Sequence, residues 1–394
     1  MFDDLASYYL RWYHDRPVGI TSQRRDELRR LHGILYRCAE FFALNWRDYV
    51  PSVLPLGDRE LEILELQSRY PFRAGTWRPD YIVTRGGELK LCEITSRFFA
   101  HGIFLSVFAE YAADRFMARF PGKERETRYG ELMDYMRALP GGRRQLYVLK
   151  SADRTSEIRL YKRFYEAEGC SLEVIEAPEV EARRAEWVRE GSFVFSALNQ
   201  QDLLGYGTDT LRAMMDVGMV SDFRNIFLIH DKRFMRLWSD DAFTGRFLDP
   251  DDAAFLRAHA IPTYDCTDPA AAAVLEDARA HKDGYILKPC RLGKSEGVHA
   301  GVLERKCRWR RLWRRGVDGM ILQPFLDQRT FPTEWEGKHF EDYLCGMMLC
   351  VDDRYFDSGL FRTSSLPVTN VGDDRKACPL HTDDPELLAC CDVL

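Results

Sequence analysis

The sequence predicts an α/β protein of the α+β kind, in which antiparallel hairpins flank a central Rossmann-like layer. Three stretches carry this reading. Strand and helix patterns alternate between about Gln145 and Phe195, a hairpin pattern runs from Trp77 to Thr95, and a strand, glycine turn and second strand follow from Tyr285 to Leu303. At 394 residues the chain can bury more than one core. The pattern divides it into an N-terminal part with helices and the hairpin, 1–140, the Rossmann-like unit, 141–230, and a C-terminal α+β part, 231–394. Apolar residues at 45% and aromatics at 13% exclude a disordered chain, and a formal charge of −6 gives no general attraction to nucleic acid or anionic lipid. No apolar run is long enough to span a bilayer, and Met1-Phe-Asp-Asp-Leu5 lacks the basic-then-apolar order of an export leader. The expectation is a cytoplasmic protein with no membrane partner. Eleven cysteines, scattered and without a C-x-x-C pair, fit neither a disulfide framework nor a zinc ribbon. Cys345 and Cys350, with His339 nearby, read as small apolar strand residues rather than metal ligands, and Cys390 and Cys391 read as exposed thiols open to oxidation.

Taken in order, Ser22 is a plausible N-cap for a helix to about Trp46, with Leu28, Leu31, Leu35, Cys38 and Phe42 at helical spacing as its core face. Trp77 to Val83 and Leu89 to Thr95, joined by the turn Arg85-Gly-Gly-Glu88, form a hairpin that carries Asp80 on one strand and Glu93 on the other. Helical periodicity returns from Ile103 to Phe120. Strand Leu146–Leu149, a helix from Thr155, and strands Leu172–Ile175 and Ser192–Phe195 make the parallel unit. Asn225 to Lys232 leads into a further helix, and Asp249-Pro250 and Asp268-Pro269 each supply a cap followed by proline at the first helical position. The helix Glu304–Arg315 holds seven cations between Arg305 and Arg315. It reads as a solvated face or as a dock for an acidic carrier protein or RNA, and Trp309 and Trp313, four apart, anchor it to the sheet.

The stretch Tyr285-Ile-Leu-Lys-Pro-Cys-Arg-Leu-Gly-Lys-Ser-Glu-Gly-Val298 is the most telling. A lysine at a strand end followed by a glycine-bounded turn suits phosphate, which needs a fixed cation and close backbone approach. Lys288 is the fixed charge, and Gly293 to Gly297 the flap. A Walker A loop is excluded, because Lys288 stands where its first glycine belongs. Gly293-Lys-Ser-Glu-Gly297 also fits the G-x-S-x-G elbow, but a strand follows it where that motif needs a helix. A plain hairpin turn is the remaining alternative. Farther on, Met320-Ile-Leu-Gln-Pro-Phe-Leu326 suits the lining of an adenine slot, and Ser358-Gly-Leu-Phe-Arg-Thr-Ser-Ser365 sets Arg362 in a strand.

In their joint order, His230-Asp-Lys232, Ile286-Leu-Lys-Pro289 with its flap, Leu322-Gln-Pro-Phe-Leu326, Gly359-Leu-Phe-Arg362 and the hairpin with Asp80 and Glu93 resemble the ATP-grasp superfamily, specifically its circularly permuted branch of glutathionylspermidine-synthase-like ligases. Permutation accounts for an acidic hairpin that precedes the lid. The resemblance implies a permuted ATP-grasp fold with the nucleotide-binding lid and core in 231–394. It assigns Lys232 and Lys288 to the phosphates of ATP, and Gly293, Lys294, Ser295 and Gly297 to the cover over them. Gln323, with the backbone of Phe325 and Leu326, goes to adenine, and Arg362 to the charge of the transferred phosphate. Asp80 and Glu93 would hold Mg²⁺, with Thr95 where the family usually has asparagine; Asn370 is a further candidate. Arg97 is the candidate for the substrate carboxylate, with a surface ion pair as the alternative. The implied activity is amide formation between small-molecule carboxylate and amine substrates through an acyl phosphate, releasing ADP and phosphate. A phosphotransferase and a non-catalytic nucleotide-binding protein are the rival readings.

Overall fold

The computed structural model describes residues 2–152, 157–293, 295–369 and 375–394. Among these residues the strands gather into four sheets. The largest has seven strands and is antiparallel throughout. Its main path runs Arg375–Ala377, Phe361–Ser364, Lys338–Val351, Thr76–Val83, Leu89–Thr95, while Thr330–Trp335 and Arg354–Ser358 also pair with the long strand Lys338–Val351. The hairpin from the first quarter of the chain is thus completed by a strand from the last quarter.

The predicted parallel unit is present as a three-stranded sheet in the order Ser171–Glu176, Gln145–Lys150, Ser192–Ala197. Its connecting helix is described from Glu157 to Ala167; the expected start at Thr155 lies outside the described residues. A four-stranded antiparallel sheet, Tyr264–Asp265, Met320–Pro324, Tyr285–Pro289 and His299–Ala300, carries Lys288 and Gln323. The smallest sheet sets Val18–Ile20 between Pro379–His381 and Asp392–Val393. The result is a mixed α/β architecture built on several sheets, as expected.

The helix Ser22–Leu44 buries Leu28, Leu31, Leu35, Cys38 and Phe42, as its periodicity predicts. Its cap is Thr21, one residue ahead of the expected Ser22, because the Thr21 side chain is the one that accepts from the Arg24 amide. Asp249 caps Pro250–His259 as expected, whereas Asp268 caps a short 3₁₀ turn that leads into the helix Ala272–Ala280. The expected helix after Lys232 is instead a 3₁₀ segment, Lys232–Ser239, preceded by a π turn, Asn225–Ile229. The segment is anchored at its start: the Lys232 amide, which has no partner within the helix, donates to the Cys290 carbonyl at 2.8 Å, and Asp231 caps the turn and holds Arg233. The basic helix runs Lys306–Arg315, with Trp309 buried and donating to the Ala278 carbonyl at 3.0 Å.

The thiol expectations need correction at two cysteines. Cys391 is buried and Cys390 half-buried, so neither is an exposed thiol. Cys350 is buried in the core as expected, but Cys345 lines a pocket. His339 lies on the surface, far more exposed than either. No described helix is long and apolar enough to cross a membrane.

Candidate active site

The acidic hairpin departs from plain alternation at one point. Asp80 pairs with Glu93 but Tyr81 pairs with Leu91, so Cys92 is the extra residue of a β-bulge. A bulge turns two successive side chains to the same side. Cys92 and Glu93 therefore both line the cleft, while Leu91 and Ile94 stay buried behind. Thr95, two residues past Glu93, shares its face and accepts from Arg78 Nη2 at 3.4 Å.

Asp80 is fully buried. Arg78 Nε and Nη2 donate to its two oxygens at 2.7 and 2.9 Å, and Arg362 Nη2 donates to Oδ2 at 2.7 Å. Arg362 reaches it because Lys338–Val351 pairs with Phe361–Ser364 on one side and Thr76–Val83 on the other. Lys232 Nζ lies 3.4 Å from Glu93 and donates to the Leu292 carbonyl at 2.6 Å, which ties the base of the flap to the strand that carries Glu93. Lys288 Nζ donates to the Cys92 carbonyl at 3.2 Å. Arg291 bridges Glu60 and Asp231, so the backbone that presents Lys232 is clamped from a second direction.

Burial alone would push the Glu93 carboxyl up. Lys232, Lys288, Arg362 and Arg78 override it and hold the group at about 2, against an ordinary 4.5. Burial pushes the Lys288 ammonium down, with Lys232 adding to the effect against Cys92 and Glu93. The arginine beside them, Arg362, is held protonated by Cys345, Asp80 and Glu93 despite its burial. A hydrogen bond from Cys92 lowers the Cys345 thiol, with Arg362 helping and burial opposing. Four cations thus surround two carboxylates, leaving the cleft in want of anions.

A pocket opens over this floor, and Ile261, Ile286 and Val298 give it apolar walls. Gln323, Phe325 and Leu326 line it, as do Ser295, Lys232, Lys288, Glu93 and Arg362. Gln323 is fully buried, and Thr263 fixes its amide by accepting from Nε2 at 2.8 Å; its Oε1 finds no partner among the described residues. An orphaned buried acceptor in a pocket wall is what an exocyclic amine donor would satisfy. The amide of Phe325 is already spent on the Gly284 carbonyl at 2.8 Å, so it does not read a purine edge.

The flap turns with Ser295 at φ 58° and Gly297 at φ +66°, the latter a conformation that favours glycine. A Cβ on Gly293 would lie 3.2 Å from Arg97 Nη2, so the flap rests against Arg97, whose guanidinium also stacks over the Phe98 ring at 4.4 Å. Lys294 and Asn370 lie outside the described residues.

Of the two carboxylates expected to hold Mg²⁺, Glu93 lines the pocket, whereas Asp80 is fully buried with Arg78 and Arg362 on its oxygens. No group of three or more histidine, cysteine, aspartate or glutamate side chains poised for a metal occurs among the described residues. One or two carboxylates are what magnesium uses when substrate phosphates and water complete its shell, and Glu93 is the one that faces the pocket.

Arg78, Cys92, Cys345 and Thr263 were not among the residues expected at the site. Arg78 stands two before Asp80 on the same strand face, so period-two alternation could have found it. The bulge that exposes Cys92, and the pairing that brings Cys345, leave no local signal.

Residues 45–228 match the family of the AnkG N-terminal domain. That span includes the acidic hairpin and the parallel unit and ends ahead of Lys232. Over 385 residues the chain is 22% identical to the ATP-grasp enzyme ankG of Aspergillus thermomutatus, covering 83% of this chain and 79% of that protein. The likeness supports a place in the ATP-grasp superfamily.

Proposed function

We propose that this chain is a cytoplasmic, Mg²⁺- and ATP-dependent carboxylate–amine ligase with a permuted ATP-grasp fold. The observation that carries the reading is the meeting of Lys232, Lys288, Arg362 and Glu93 in one pocket, with Asp80 buried behind it and holding Arg362, all drawn from distant parts of the chain. The pocket's positive excess suits a triphosphate, and the orphaned Gln323 Oε1 suits the adenine amine.

In this reading Lys232 and Lys288 hold the phosphates and the Gly293 to Gly297 flap keeps water from them. When bound, magnesium neutralises phosphate oxygens; Glu93, with Thr95 beside it, would hold it. Arg362, fixed by Asp80, faces the charge that builds on the transferred phosphoryl group and needs no reorganisation to meet it. Arg97, under the flap, positions the acid substrate. Phosphorylation by ATP gives the carboxylate a good leaving group, and the amine then displaces phosphate at the acyl carbon. The basic helix offers a face to an acidic partner that delivers substrate.

Incubation with Mg·ATP, pooled amines and pooled acids labelled with ¹⁸O in the carboxylate tests this. One labelled oxygen should appear in the released phosphate, together with an amide product and ADP. A phosphorylated alcohol would install the phosphotransferase reading. Nucleotide retention without turnover on any pool would favour a binding protein.

A further inference from the structure

Cys345 stands out among the eleven cysteines. Its sulfur accepts from Arg362 Nη2 at 3.1 Å, and that same nitrogen donates to Asp80. Cys345 lines the nucleotide pocket, and Cys92, whose thiol donates to the Asp80 carbonyl at 3.3 Å, lines the same pocket. Cys38, Cys350 and Cys378 are equally buried, but no described guanidinium donates to them and the pocket does not reach them. Reactive thiols occupy electropositive, accessible niches, and buried structural ones do not.

We infer that Cys345 is a modification site, a thiol that peroxides and alkylating electrophiles reach through the nucleotide pocket, so that its modification and ATP occupancy exclude each other. This rests on the proposed nucleotide site. With an alkyl halide such as iodoacetamide, a carbon–sulfur bond forms, halide leaves, and the thiol proton passes to solvent. With a peroxide, the sulfur attacks the oxygen–oxygen bond; hydrogen peroxide leaves a sulfenic acid on Cys345 and one water. Either product occupies the floor beneath the phosphates and engages Arg362, the cation assigned to the transferred phosphoryl group.

Although Cys92 lines the same pocket, the peroxide product is not a Cys92–Cys345 disulfide. Strands Leu89–Thr95 and Lys338–Val351 flank Thr76–Val83 on opposite sides. Two strand spacings come to about 9.5 Å. A disulfide holds its Cα atoms within about 6.8 Å. Closing the bond would tear the central pairing.

The test labels the intact chain with iodoacetamide, with and without Mg·ATP, and maps alkylated peptides by mass. Exposed Cys307 is the internal reference, and equilibrium dialysis measures nucleotide retention on the same samples. With Mg·ATP at about ten times its dissociation constant, Cys345 labelling should slow about tenfold while Cys307 labelling does not change. Alkylated protein should lose nucleotide retention. Hydrogen peroxide followed by dimedone should tag Cys345. The inference is overturned if nucleotide is retained yet Cys345 labels at the same rate in its presence, or if Cys307 reacts to completion with Cys345 untouched. A Cys92–Cys345 crosslink would overturn the sulfenic-acid product. Failure of untreated protein to retain any nucleotide would remove the proposed function and this inference with it.

Discussion

Replacing Lys288 with methionine separates what the site costs the fold from what it does for the ligand. The lysine is half-buried, and its ammonium donates to the Cys92 carbonyl at 3.2 Å. Losing a hydrogen bond from a charged donor costs about 1.5–3 kcal/mol. Against that, burial and the neighbouring Lys232 press the ammonium toward deprotonation, so its charge is a burden on the ligand-free fold that Lys288→Met removes. Methionine keeps the aliphatic stem against the pocket wall. The two effects oppose, and the melting temperature should move by no more than about 4 °C, the span of about 1 kcal/mol for a chain of this size or somewhat smaller. Nucleotide sees only the loss. One charge-assisted contact to phosphate, worth about 1.5–3 kcal/mol, corresponds to roughly 13- to 160-fold weaker Mg·ATP binding. Calorimetric titration with Mg·ATP and a thermal melt of the same preparation give both quantities. Unchanged Mg·ATP affinity would refute the assignment of Lys288, and a melting temperature that collapses would refute the claim that its charge is a burden.

Three further outcomes follow from the same cluster. Glu93, held at about 2 against an ordinary 4.5, contributes stability that is fully present above about pH 4.5 and is lost as pH falls toward 2. Glu93→Gln should therefore cost on the order of 3 kcal/mol at neutral pH, with the gap to wild type closing between pH 4.5 and 2 in urea melts; a gap that does not change with pH would contradict this. Because four cations outnumber two carboxylates, magnesium alone should give no saturable heat in calorimetry, while magnesium with ATP should; tight binding of the bare ion would show that further ligands exist. Gln323→Leu should weaken ATP binding about tenfold, one neutral hydrogen bond, and erase preference over GTP, as competition titrations would register; retained preference would place purine selection elsewhere.

Much of the site was legible because it sits on strands with strong local patterns. Asp80 and Glu93 were read as lying on the two strands of one hairpin, and they do; that they pair directly depends on the bulge at Cys92, which the turn Arg85-Gly-Gly-Glu88 does not announce. Lys288 and its flap were read from a strand end and two glycines, and Gln323 from a lone amide in an apolar strand. What escaped depended on partners far away in sequence. The seven-stranded sheet joins residues more than 250 positions apart, and nothing local to Thr76–Val83 announces Lys338–Val351. The helix expected after Lys232 is present as the 3₁₀ segment Lys232–Ser239, and the π turn Asn225–Ile229 ahead of it was not anticipated. The second cleft-facing residue on the strand that carries Glu93, Cys92, was hidden because one inserted position breaks the alternation on which strand reading relies.

The pairing of Thr76–Val83 with Lys338–Val351 also constrains how the molecule is made. A ribosome releases the acidic ribbon long before its neighbouring strand exists, so the nascent chain presents an unpaired β edge through most of its synthesis. Val18–Ile20 waits longer still, for Pro379–His381 and Asp392–Val393. Non-local pairing of this kind slows folding and lengthens exposure to aggregation. Yield in a foreign host should therefore respond to growth temperature and chaperone supply more than to sequence changes at the surface, and truncation before Lys338 should leave an insoluble product.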